Sequence, residues 1–310
     1  MPFKIPKSLK ILLILLSLLL VSLALTNIGK QTSKEPKEQF FFGSKNLHIP
    51  KLQREPQVDP LIKNSLSGLA GRYAVYIKDL KTQKSYKYNS DEKFGSASLY
   101  KLAVMYKTYD AIDKNQLTKE DILSEDVVAL DNTLQGIQNQ TETIDQESQG
   151  LVSYDVGEAL RLMITISDNY SAILLAQRLS WQKIDQLMEE EGFGQIDLIN
   201  ANAPSVTAKA IGDLLERIYS NQAISPNASE EMKSLLFAQK VNDRIPKYLP
   251  ATAKVGHKTG ELDSVRHDAG IVLGKNSHYL FVFLSDTPSP NDAIETIALL
   301  SKKIFDELEK

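Results

Sequence analysis

The apolar and polar positions of this chain change pattern three times. Residues 11–25, ILLILLSLLLVSLAL, are almost continuously apolar. Residues 27–59 are dominated by Lys, Gln, Glu, Pro and Ser, interrupted by FFF at 40–42. From residue 60 onward the apolar positions become periodic. PLIKNSLSGLAG, 60–71, reads as a short helix closed by Gly71. RYAVYIKDL and KSYKYNS read as the two strands of a hairpin. Leu99, Leu102, Ala103, Val104, Met105 and Ala111 then crowd more than one face of a helix. That pattern predicts a mostly buried helix from Ser98 to about Asp113.

Helical patterns dominate residues 114–250, in SYDVGEALRLMITI, NYSAILLAQRLSWQKIDQLMEEEG, SVTAKAIGDLLERIYS and ASEEMKSLLFAQK. Strand-like segments return late, as TAKVGHKTG, RHDAGIVLG and HYLFVFLSD, and an amphipathic helix, NDAIETIALLSKKIFDELEK, closes the chain. Strands at both ends and helices between them predict an α+β fold with two lobes. One antiparallel sheet, built from the early hairpin and the late strands, is covered by the terminal helices. An inserted all-helical lobe spans about residues 99–248 of a domain at 60–310, with a cleft between the lobes.

The N-terminus changes the picture of location. Lys4, Lys7 and Lys10 precede the apolar run, the order of an export signal. As a helix the run rises about 22 Å, short of a bilayer core of roughly 30 Å. Ser22-Leu23-Ala24 is a weak small-x-small cleavage site. Residues 1–26 are therefore read as a signal peptide or a single membrane anchor, and both stay open. Residues 27–59 are read as an extracytoplasmic linker, with FFF packing back on the domain. The body lies outside the cytoplasm of a bacterial cell, because the basic side stays in. No cysteine is present, which removes disulfides, thiolate metal sites and cysteine nucleophiles. Residues 1–59 carry nine Lys/Arg and four Asp/Glu, and the remainder 27 and 35. An acidic body argues against nucleic acid as a partner.

Three short motifs follow in order: Ser98-Leu99-Tyr100-Lys101, Ser167-Asp168-Asn169 and Lys258-Thr259-Gly260. The Ser-x-x-Lys spacing alone is cheap, since Ser90–Lys93 and Ser180–Lys183 share it. The other two tripeptides single out Ser98. A serine hydroxyl needs a base to attack, and i and i+3 share a helix face, so Lys101 is within reach. Burial and a second cation, Lys258, would lower the lysine pKa and keep it neutral. His257 and His267 raise a Ser-His-Asp triad, but no Gly-x-Ser-x-Gly elbow accompanies them; they read as packed strand residues. No His-Glu-x-x-His pattern or P-loop occurs, so neither a metal nor a cofactor is implied.

These motifs are those of class A β-lactamases and penicillin-binding proteins. Residues 60–310, above all VGHKTGELDSVRHDAGIV, resemble the serine β-lactamase and D,D-peptidase superfamily. The resemblance implies Ser98 as nucleophile, Lys101 as its base and Ser167 as proton relay. It implies that Asn169 binds a substrate amide and steadies Lys101. Lys258 and Thr259 would hold a substrate carboxylate, helped by Arg266. Gly260 completes the motif, and backbone N–H groups of Ser98 and Glu261 would form an oxyanion hole. Glu261 shares a strand face with Thr259, where its carboxylate would orient water, repel an anionic substrate or point to solvent.

The resemblance breaks in one loop. The family places a deacylating glutamate in Glu-x-x-Leu-Asn, between the Ser-Asp-Asn helix and the next. Here that interval reads EEEGFGQIDLINANAPSVTAKAIGD. Asn200 fits the last position, but Ile196 stands where the glutamate belongs. Asp197 and Glu189, Glu190 and Glu191 are nearby and read as solvated surface. The chain is thus expected to be a β-lactamase-like serine hydrolase acting on β-lactam-type cyclic amides, with slow deacylation. The alternatives are a D-alanyl-D-alanine carboxypeptidase of peptidoglycan and, from another class, a non-catalytic envelope-binding module. A monomer is expected.

Overall fold

The computed structural model describes residues 55–138, 150–199 and 203–310, and Arg54–Lys310 forms one compact unit. The export or anchor segment at 1–26, FFF and most of the linker lie outside the described residues. Among the described residues no helix is long and apolar enough to cross a membrane.

Helix α1 (Val58–Leu66) leads into the predicted hairpin, β1 (Arg72–Asp79) and β2 (Ser85–Tyr88). Gly71 does not close α1, which ends at Leu66. It has φ +114°, and a Cβ there would sit 2.6 Å from the Asp286 carbonyl oxygen. Glycine is required because β1 enters the sheet against the end of a neighbouring strand.

Strand β3 (Phe94–Gly95), a 3₁₀ turn at Ala97–Leu99 and α2 (Tyr100–Asp113) follow. Next come β4 (Ile122–Asp126), α3 (Val127–Gln138), β5 (Leu151–Asp155) and α4 (Val156–Thr165). Helices α5 (Asn169–Leu179) and α6 (Trp181–Glu190), strand β6 (Ser205–Val206), and helices α7 (Ala208–Tyr219) and α8 (Pro226–Phe237) complete the middle. The chain ends with β7 (Lys254–Leu262), β8 (Val265–Leu273), β9 (His278–Asp286) and α9 (Pro290–Leu308).

The main sheet is antiparallel with order β2-β1-β9-β8-β7, so early and late strands join as expected. Side chains alternate across it. On β9, Tyr279, Phe281 and Phe283 meet Val58, Ile62 and Ile304 of the terminal helices. Leu280, Val282 and Leu284 turn to the other face and join the core of the helical middle. Both faces are covered, which is why β9 reads as an unbroken apolar run. Each fully buried side chain of this size contributes about 1.5–3 kcal/mol relative to exposure.

Two predicted helices differ in extent. SYDVGEALRLMITI begins as strand β5, paired with β4 through Leu123↔Tyr154. The helix starts only at Val156, where the Asp155 carboxylate accepts from the Glu158 N–H at 2.7 Å. The long pattern after Asn169 is two helices, broken at Ser180 with φ +71°. The small pairs β3–β6 and β4–β5 were not legible in the sequence, being too short or too exposed to show a period.

Candidate active site

The turn before α2 is held from two sides. Ser96 N–H donates to the Pro204 carbonyl at 2.7 Å. His267 donates through Nε2 to the Gly95 carbonyl at 2.8 Å. The Ser285 N–H donates to His267 Nδ1 at 3.1 Å, so that nitrogen carries no proton. Burial pushes the His267 pKa down to about 4, and the neutral ring serves as a fixed strut. Ala97 then adopts φ +43°, uncommon for a residue with a Cβ. Ser98 follows, half-buried, one turn below Lys101.

Lys101 is fully buried on α2. Its Nζ donates to the Ser167 carbonyl at 2.6 Å and to Asn169 Oδ1 at 2.7 Å, with Ser167 Oγ at 3.3 Å. The second motif is shaped for this. Ser167 lies in the left-handed region, φ +62°, and Asp168 caps α5 by accepting from the Ser171 N–H at 2.7 Å. The cap turns the Ser167 carbonyl and the Asn169 side chain toward one point. Lys258, also fully buried, rises from the middle of β7. Its Nζ donates to Ser167 Oγ and to the Thr259 carbonyl, both at 2.8 Å. Ser167 Oγ therefore lies between two lysines.

Burial pushes the Lys101 pKa from 10.5 down to about 7, partly opposed by Asp168. Lys258 is driven well below its ordinary range, first by burial and then by the charge of Lys101, against the pull of Asp268. Two buried cations this close cannot both stay charged at little cost. A neutral Lys101 has two N–H bonds and one lone pair. The Ser167 carbonyl and Asn169 Oδ1 are acceptors only, so they take the two N–H bonds and leave the lone pair for a hydroxyl. No hydrogen bond joins Lys101 Nζ to Ser98 Oγ; Ser98 lies in the 3₁₀ turn that runs into α2, and such contacts commonly tighten only with substrate.

Ser98 opens onto a pocket that Asn169 and Glu261 also line, with Tyr100, Leu134 and Ile137 forming an apolar wall. Gly260 faces the nucleophile turn: a Cβ there would lie 3.3 Å from both Ala97 Cβ and His267 Cβ. A side chain at this position would press on the turn that carries Ser98, and Ala97 or His267 would have to give way by a few tenths of an ångström. Thr259 is buried on the same strand. Arg266 is not brought to the pocket. Its Nη1 donates to the carbonyls of Asp263 and Val265 at 2.9 and 2.7 Å, within and beside the β7–β8 turn. The arginine that touches a lining residue, Glu261, is one that the sequence reading missed. Arg244 is fully buried, donates to the His267 carbonyl at 3.1 Å and pairs with Glu261. No motif surrounds Arg244 in the sequence, so no signal could have found it.

The remaining candidates fall elsewhere. Ser90 bonds Asp91 and Ser180 bonds Gln182, while Lys93 pairs with Asp197. Both ring nitrogens of His257 are engaged, with Asp268 at 2.8 Å and Asn242 at 3.2 Å, and neither with a serine. In the loop after α6, Ile196 is buried in the core. Asp197, expected at the solvated surface, is instead buried, bridges to Ser205 and faces Lys93. Glu191 is likewise tied down, to Arg217. Glu189 and Glu190 are exposed as expected, and Asn200 lies outside the described residues. Among the described residues Glu261 brings the only carboxylate to the pocket lining, and no cluster of three or more His, Asp or Glu side chains could hold a metal ion.

A serine and two buried lysines at the junction of an antiparallel sheet and a helical lobe define a serine hydrolase fold and site. The family model described as the beta-lactamase enzyme family matches residues 57–308, and the chain belongs to that family. Solved structures agree on the fold. PBP-A is similar at 22% identity and TM-score 0.71, covering 81% of this chain and 96% of its own. A beta-lactamase from Sphaerobacter thermophilus is similar at 17% identity and TM-score 0.69, over 81% and 97%. The TLA-1 extended-spectrum beta-lactamase matches at 19% identity and TM-score 0.69, over 82% and 98%. No curated protein is similar enough in sequence to match.

Proposed function

We propose that this protein opens a β-lactam-type cyclic amide through an acyl-enzyme on Ser98 and releases it slowly. The observation that carries the reading is Lys101, buried, with both acceptor oxygens supplied by Ser167 and Asn169 and its pKa lowered to about 7. Ser98 Oγ attacks the carbonyl carbon as its proton passes to Lys101. The resulting oxyanion is held by the backbone N–H groups of Ser98 and Glu261, in the 3₁₀ turn before α2 and on β7. As the intermediate collapses, the C–N bond breaks and Ser167 hands a proton to the leaving nitrogen, replenished through Lys101 or Lys258. Thr259 and Asn169 orient the substrate.

Slow release rests on the loop after α6, where Ile196 occupies the family's glutamate position and the neighbouring acids Asp197 and Glu191 are paired elsewhere. That same observation favours a second reading, a D-alanyl-D-alanine carboxypeptidase using the same acylation. A PBP-A variant with leucine replaced by glutamate has a structure described as an acyl-enzyme complex with penicillin G, at 22% identity to this chain. The lysines before the apolar run of 11–25 support a location outside the cytoplasm, secreted or anchored.

Intact-protein mass spectrometry after mixing with penicillin G tests the proposal. A mass gain of one penicillin, absent in Ser98→Ala and decaying on standing, supports a lactamase. A persistent adduct together with turnover of a D-Ala-D-Ala peptide supports the peptidase. No adduct under either condition sinks both and leaves the non-catalytic envelope-binding module.

A further inference from the structure

We propose that Tyr170 is a positioning residue for substrate selection: its hydrogen bond to Asp131 fixes the apolar wall of the Ser98 pocket, so that donors with a bulky apolar side chain acylate faster than donors with a small one. The inference rests on the acylation of Ser98 proposed above and names the donor that this pocket favours.

The wall and the second motif sit on different helices. Leu134 and Ile137 of α3 line the pocket beside Tyr100. Both are half-buried and pack against the main core. Asn169 lines the same pocket and is the first residue of α5. Tyr170 is the next residue. Its hydroxyl donates to Asp131 Oδ1, in the middle of α3, at 2.6 Å. That length is typical of a hydroxyl on a carboxylate, among the stronger hydrogen bonds in proteins. The bond to Asp131, aided by burial and by the charges of Asp131 and Asp168, pushes the Tyr170 pKa up to about 12. The phenol therefore keeps the proton that it donates. Gln177 adds a longer contact from α5, to Thr133 Oγ1 at 3.4 Å.

Leu134 follows Asp131 by three residues and Ile137 follows Leu134 by three, about one helical turn at each step. A displacement of Asp131 therefore carries both wall residues with it. At the other end of the bond, Tyr170 stands where the Asp168 cap fixes the start of α5. Asn169, which accepts from Lys101, and Tyr170, which holds the wall, are thus neighbours at one helix end. The Tyr170–Asp131 bond sets the wall in register with the acylating machinery. A large apolar substituent gains by leaving water against Leu134 and Ile137, in proportion to the area it covers. A wall already held in place need not be ordered when the donor binds. A methyl-sized substituent covers too little area to benefit.

Penicillin G and its acetyl counterpart, in which a methyl replaces the benzyl group, differ only in this substituent. Their acylation can be followed by rapid-quench mass spectrometry over a range of concentrations. The readout is the ratio of their second-order rate constants, which should favour penicillin G by about tenfold or more in the wild-type protein. Tyr170→Phe keeps the ring and removes the bond. It should lower the ratio about fivefold, the worth of an ordinary hydrogen bond, by raising the half-saturating concentration of penicillin G while the limiting acylation rate stays the same. Asp131→Ala should do likewise, and Asp131→Asn, which still offers an oxygen to the phenol, should recover most of the loss. In a Leu134→Ala/Ile137→Ala background the ratio should be low and insensitive to Tyr170→Phe, as coupling through the wall requires. An unchanged ratio in Tyr170→Phe overturns the proposal. So does an equal fall in limiting rate with both donors, which would place Tyr170 on Asn169 and Lys101 instead of the wall. Absence of any adduct in the wild-type protein overturns the acylation reading and this inference with it, whereas a flat ratio with Ser98 still acylated overturns this inference alone.

Discussion

Lys101 ties the chemistry to the energetics of the fold, and pH exposes both. Moving its pKa from 10.5 to about 7 by burial costs the charged form about 5 kcal/mol, at 1.36 kcal/mol for each tenfold change. If the neutral amine is the base for Ser98, acylation must rise with pH through about 7. At pH 6 roughly a tenth of the sites are neutral and at pH 8 roughly nine-tenths, so the acylation rate should climb about tenfold between them. The midpoint belongs to Lys101 and Lys258 as a pair. Stability should mirror this. The folded pKa is depressed, so the unfolded chain binds an extra proton between pH 7 and 10.5. Folding is therefore penalised in full below about pH 7, and the penalty fades as pH rises toward 10.5. Lys101→Met should abolish acylation yet raise the denaturation midpoint at pH 7, by an amount reduced by the two lost hydrogen bonds and shrinking toward pH 10. The assays are rapid-quench mass spectrometry and urea denaturation across pH 5.5–10. A flat acylation profile, or a midpoint above pH 9, would refute the neutral-lysine argument.

Three further outcomes are expected. Asn169→Ala removes the 2.7 Å acceptor of Lys101 and should slow acylation ten- to a hundredfold, roughly 1.5–3 kcal/mol, with little change in melting temperature. Gly260→Ala places a Cβ 3.3 Å from Ala97 and His267; the nucleophile turn must shift, and acylation should fall at least tenfold while the circular dichroism spectrum is retained. His267, with its pKa lowered to about 4 by burial, is neutral when folded, so stability is full above about pH 6.5 and is lost as pH falls toward 4. The contribution is about 3 kcal/mol, measured as the difference in pH dependence of unfolding between the wild-type protein and His267→Phe.

The strands and helices around the site were legible because their side chains answer to simple periods. The late strand set and the closing helix follow the predicted pattern, and α2 is buried around most of its circumference as its crowded apolar positions implied. The break at Ser180 was hidden because both flanking segments are helical and only a backbone angle separates them. Strand β5 was absorbed into a helical pattern because the event that ends it, the Asp155 cap, is local and invisible to periodicity. Two site residues divide in the same way. Gly260 was marked by its motif, whereas Arg266 was named through the family resemblance and its side chain turns instead to the carbonyls of Asp263 and Val265.

By itself, the sequence determined the chemistry on offer: a serine and lysine one helical turn apart, two partner tripeptides, no cysteine, and no glutamate at position 196. These are matters of residue type and short spacing, which do not depend on how distant segments pack. The tertiary structure alone decided what each charge is worth. Lys101 and Lys258 become weakly basic because the fold removes them from water and sets them on either side of Ser167. Arg244 reaches the His267 carbonyl from a distant segment, while Arg266 folds back on the carbonyl of its neighbour Val265. Glu261 meets Arg244 only when two segments seventeen residues apart in the sequence close on each other. Electrostatic strength depends on desolvation and distance, and both are products of packing.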